Sequence, residues 1–100
     1  MIRIEQTDGC ITVTGHAGYA PIGQDIVCAG VSAIVTAFVA SVEKLTEDEI
    51  QADMTAGDAV IRYENLSARA QLLMDSFFLG VGMIADEYGE FVQVTRRGSR

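Results

Sequence analysis

Residues 25–44 read DIVCAGVSAIVTAFVASVEK, and no charge interrupts them between Ile26 and Val42. An uncharged run of that kind could cross a bilayer. It lies at the short end of the spanning range, however, is diluted by Ala, Gly, Ser and Thr, and is flanked closely by acidic residues. Asp25 is a good N-cap, because its carboxylate can accept from the unpaired N–H groups of a first helical turn. The expectation is therefore a core helix from Asp25 to about Lys44. It is apolar nearly all round, which sets it deep in the core or against a partner chain.

On the N-terminal side, MIRIEQ (1–6) alternates apolar and polar residues as a strand does, TDG (7–9) supplies a turn, and CITVTGH (10–16) returns. Residues 15–24 form a loop long enough to move. Beyond the helix, TEDE (46–49) is an acidic turn, and IQADMT (50–55) and AVIRYE (59–64) form a second hairpin around AGD (56–58). A second long helix is expected from Ser67 to about Tyr88. Leu73, Phe77, Val81 and Ile84 mark one stripe on it, while Leu72, Leu79 and Met83 spread onto other faces. EFVQVTRR (90–97) closes as a strand with a frayed basic tail. The order ββαββαβ predicts an α+β (mixed α/β) fold, a mixed sheet with two long helices packed on one face.

Length and composition bound the rest. One hundred residues, 49 % of them apolar, make a single domain over 1–100. A net charge of −7 argues against nucleic acid or an anionic membrane as partner and favours a basic protein. Cys10 and Cys28 make no disulfide framework, and one histidine without a CxxC pair is too little for a zinc site, so no metal and no cofactor are expected. The lack of a secretory signal suits a reducing, cytoplasmic setting.

The chemistry concentrates in GHAGYAPIGQDIVCAG (15–30), which carries the single histidine and one cysteine. With Asp25 as N-cap, Cys28 falls in the first helical turn, where unpaired N–H groups and the positive end of the dipole favour a thiolate. His16 can return across the loop to form a Cys–His pair, and the helix-start N–H groups could receive an oxyanion. Each feature also has a bland origin. Cys28 could be core packing, His16 a partly exposed polar residue, and Asp25 a cap only. Ser32, one turn after Cys28, could line the site or simply bond its own i−4 carbonyl. Gly15 and Gly23 could supply loop dihedrals. A non-catalytic acidic binding module for a basic protein, and a thiol redox sensor, are the alternatives to an enzyme.

GHA, a glycine eight positions after the first, and DIVCAGVSAI together resemble the signature of the Prp family of ribosomal-processing cysteine proteases. The resemblance implies a small cytoplasmic homodimer that removes the N-terminal extension of ribosomal protein bL27, or acts on a phage capsid or scaffold protein. It puts the nucleophile on Cys28 and the general base on His16. Gly15, Gly23, Asp25 and Ser32 coincide with the family's other motif positions. In that reading the Ala17–Gln24 loop closes over a bound peptide.

Overall fold

A computed structural model describes residues 1–21, 23–55 and 57–97. The elements follow the predicted order: β1 (Ile2–Thr7), β2 (Cys10–Thr14), α1 (Ile26–Leu45), β3 (Ile50–Thr55), β4 (Asp58–Tyr63), α2 (Ala68–Glu87) and β5 (Val92–Thr95). The strands form one sheet in the order β3-β4-β2-β1-β5. The β1–β2, β2–β4 and β3–β4 pairs are antiparallel. β5 runs parallel to β1, which makes the sheet mixed. The fold is thus the α+β arrangement expected.

Alternation on the strands decides which face is covered. Ile2, Ile4 and Gln6 of β1, Ile11 and Val13 of β2, and Ala59 and Ile61 of β4 are buried on the helix side. Ile4, Ile11 and Ile61 are fully buried at the sheet centre. Each such side chain contributes roughly 1.5–3 kcal/mol by leaving water. Val27, Val31, Val35, Phe38, Val39 and Val42 of α1 and Met74, Phe77, Phe78 and Val81 of α2 complete the core. Phe38 and Phe77 meet at 5.0 Å between ring centroids and join the two helices.

Three expectations are corrected. α1 is not deep in the core: Ile26 is exposed, as are the small Ala29, Ala33 and Ala37 on its outer side. Small residues tolerate either environment, so their lack of charge did not report burial. Both helices are long and apolar enough to cross a membrane by length and composition, yet each seats one face on this sheet. The apolar face of α2 is also wider than expected, because Met74 and Phe78 join the stripe while Leu73 and Ile84 are only half-buried at its edge. Finally, the basic tail is not frayed at Arg96. Its guanidinium pairs with Asp75 at 2.6 Å and lies 4.6 Å from the centre of the Phe78 ring. Residues 98–100 of that tail lie outside the described residues.

Side-chain caps set the helix starts. Asp25 caps α1, and Ser67 caps α2 by accepting from the Ala70 N–H at 3.1 Å. Asp48, in the turn before β3, accepts from the Ser67 N–H at 2.7 Å and from its hydroxyl at 2.5 Å. That link ties the α1–β3 turn to the start of α2. Above all the Ser67 hydroxyl, then its N–H, holds the Asp48 carboxyl below its usual range, against some desolvation.

Candidate active site

Asp25 organises the strand–loop–helix unit. Its Oδ1 accepts from the N–H groups of Val27 and Cys28, each at 3.0 Å. Its Oδ2 accepts from the N–H of Tyr19 at 3.0 Å and of Ala20 at 3.3 Å. One oxygen therefore caps the helix while the other pins the loop. The Cys28 N–H contributes most to holding this carboxyl below its usual range. Partial desolvation opposes it, and the other three N–H groups add to it.

Of the helix-start N–H groups expected to receive an oxyanion, those of Val27 and Cys28 are already engaged by the cap. The loop is also anchored: besides the Asp25 bonds, the Tyr19 ring sits edge-on to Tyr88 and Phe91, with centroids 5.6 and 5.3 Å away. Gln24 N–H closes a turn on the Pro21 carbonyl at 2.9 Å.

The donor that reaches the sulfur comes from the loop. The N–H of buried Ala17 lies 3.2 Å from Cys28 Sγ. Charge on the sulfur would strengthen that bond. The thiol is half-buried and opens on a cavity of about 330 Å³ that it shares with Gly15, His16 and Ser32. Ile2, Val13, Val31, Val35 and Ala59 give the cavity an apolar floor, and residues of the β3–β4 hairpin form its far wall.

Of the motif residues, Gly15, His16, Cys28 and Ser32 thus come together around one space. Asp25 supports it without lining it, and Gly23 lies in the loop with open space around it. Gly15 has φ +86°, and a Cβ there would collide with the Met1 carbonyl, so glycine is needed both for the bend and for the close strand. Ser32 makes no bond to its i−4 carbonyl among the described residues, and none joins the His16 and Cys28 side chains. The imidazole instead lies against Gly57. Sequence reasoning missed the Ala17 N–H, because any residue type supplies one. It also missed the hairpin wall, because AGD reads simply as a turn.

A half-buried thiol that accepts a backbone N–H and faces a cavity is an arrangement that fits the cysteine proteases. More narrowly, the chain belongs to the Prp family, since the family profile described as cysteine protease Prp matches residues 1–93. The ribosomal processing cysteine protease Prp of Staphylococcus aureus is 31 % identical over 87 residues, spanning 84 % of this chain and 82 % of that protein. The protein of that name from Bacillus subtilis is 32 % identical over 90 residues, spanning 83 % and 80 %. The crystal structure of the S. aureus protease with a covalently linked product peptide matches at TM-score 0.88 and 26 % identity, covering 97 % of this chain and 100 % of that one. Its complex with a substrate peptide matches at TM-score 0.80 and 25 % identity, covering 96 % and 97 %.

Proposed function

We propose that this protein is a cytoplasmic endopeptidase that removes the N-terminal extension of ribosomal protein bL27, with Cys28 as nucleophile and His16 as general base. The observation that carries the reading is the Cys28 thiol. It accepts the Ala17 N–H at 3.2 Å and shares one cavity with the imidazole. Peptide complexes of the similar S. aureus protease support a peptide substrate. The net charge of −7 favours a basic substrate protein, as ribosomal proteins generally are.

In the reaction His16 takes the thiol proton and Cys28 Sγ attacks the scissile carbonyl carbon. The tetrahedral oxyanion collapses to a thioester as His16 gives its proton to the leaving amine, and water then releases the new acid. The cavity's apolar floor would seat hydrophobic side chains next to the cut. The Ala17 N–H is the available backbone donor for negative charge near the sulfur, since the cap occupies those of Val27 and Cys28.

The homodimer belongs to the same proposal. Leu72, Leu79 and Met83 of α2 are 67 %, 71 % and 71 % exposed, and a second copy would cover them. The deciding experiment is incubation with a bL27 bearing its extension and, in parallel, with a phage capsid protein. Cleavage of bL27 that Cys28→Ala abolishes is the expected result. Binding without cleavage would return the chain to the acidic-module reading, and cleavage of the capsid protein alone would move the substrate to the phage protein.

A further inference from the structure

Gly57 lies in the β3–β4 turn, remote in sequence from the histidine it meets. A Cβ built on it would fall 2.8 Å from both Cε1 and Nε2 of His16, closer than real Cβ atoms approach, and 3.7 Å from Cδ2. The imidazole therefore rests with one edge on the bare Cα of this residue. The backbone alone does not explain the contact. Gly57 has φ +86°, which favours glycine, but Gly18 and Gly23 have φ +72° and +88° with nothing near a Cβ. Space and backbone are separate requirements here.

We propose that Gly57 is a positioning residue for His16, a stop that sets how far the imidazole can lean towards the hairpin wall of the cavity it shares with Cys28. The inference rests on His16 acting as the base. Among the described residues no hydrogen bond holds the ring, so its position rests on packing, of which the contact with the turn is one part. A general base must come within hydrogen-bond reach of the proton it takes, and a displacement of about 1 Å can cost roughly 10²-fold in rate. Any side chain at 57 would push the ring by about that much. Gly57 would then act on turnover through His16 without touching substrate.

Two measurements test this. With a single histidine in the chain, proton NMR of the unaltered protein should show a cross-peak between the His16 Cε1 proton and the Gly57 Cα protons. In kinetics, Gly57→Asn keeps a residue that tolerates left-handed backbone. Gly9→Asn, at φ +72° in the β1–β2 turn, carries a left-handed-backbone cost away from the site, together with a 3.1 Å approach of its Cβ to the Tyr63 carbonyl oxygen. Gly57→Asn should lower kcat by about 10- to 100-fold. KM should stay within about twofold, and Tm should fall no further than in Gly9→Asn. Loss of affinity with kcat intact, wild-type turnover, or absence of the cross-peak would overturn the positioning role, and the cross-peak decides alone if Gly57→Asn does not fold. His16→Ala, measured alongside, separates the two levels. Full turnover there removes the base and this inference together, whereas an inactive His16→Ala beside a fully active Gly57→Asn removes only the inference.

Discussion

The N–H of Ala17 and the sulfur of Cys28 meet at 3.2 Å, so the residue that follows the histidine is bonded to the thiol. Eleven positions apart in sequence, the two are brought together by Asp25, which holds the loop with one oxygen and the helix start with the other. Stability of the helix and geometry at the sulfur are therefore coupled through a single carboxylate.

That coupling can be separated by substitution. Asp25→Asn keeps an oxygen for Val27 and Cys28 but presents an NH₂ where Tyr19 and Ala20 need an acceptor. It should cap almost as well as aspartate while releasing the loop. Asp25→Ala should lose both. Expected outcomes are a Tm near wild type for Asn, a lower Tm for Ala, and reduced peptide turnover in both. Thermal melts and kinetics on the same preparations check this, and an Asn variant with unaltered turnover would confine Asp25 to capping.

The two cysteines should differ towards alkylating reagents. Cys28 opens on the cavity, within reach of a small reagent, and accepts the Ala17 N–H. Cys10 sits on β2, opposite Arg62. Iodoacetamide at neutral pH should modify Cys28 first, with activity falling in step, as peptide mass mapping would show. Full activity after complete modification of Cys28 would contradict its role as nucleophile.

Acid should loosen the join between the α1–β3 turn and α2. The fold holds the Asp48 carboxyl below its ordinary 3.8, so it favours the ionised form. The stabilisation is complete above the unfolded value and is lost as pH falls from there through the lower folded one. Asp25 acts with the same sign. Urea melts should show stability falling below about pH 4, less steeply in Asp48→Asn, and equal slopes would remove Asp48 from the account.

Pairing through α2 predicts sedimentation at twice the chain mass at micromolar concentration. Leu79→Glu or Met83→Glu, both on the exposed side, should shift the protein towards monomer without unfolding it. An active wild-type monomer across that range would defeat the dimer.

What could be read in advance was local. Asp25 and Ser67 announce helix starts because capping depends on a few neighbouring residues, and alternation in MIRIEQ and CITVT fixes which side faces the core. The placement of β5 beside β1 leaves no mark on either strand's pattern. Arg96 looked like part of a solvated tail because its partners, Asp75 and Phe78, lie on a distant helix. The motif named His16 and Cys28, but the surfaces that touch them at Ala17 and Gly57 are backbone. Backbone contacts carry little residue-type signature beyond the glycine that a close approach demands, and a glycine beside a turn reads simply as part of the turn.

The Tyr19 ring leans on Tyr88 and Phe91, which gives the site an order of assembly. During synthesis His16 and Cys28 emerge well before the aromatic surface that steadies their loop and the strand that flanks β1. A nascent chain halted before Tyr88 would carry its thiol and imidazole without the support that sets them. The loop between the imidazole and the thiol thus gains its aromatic support only once Tyr88 and Phe91 have been made and folded against it.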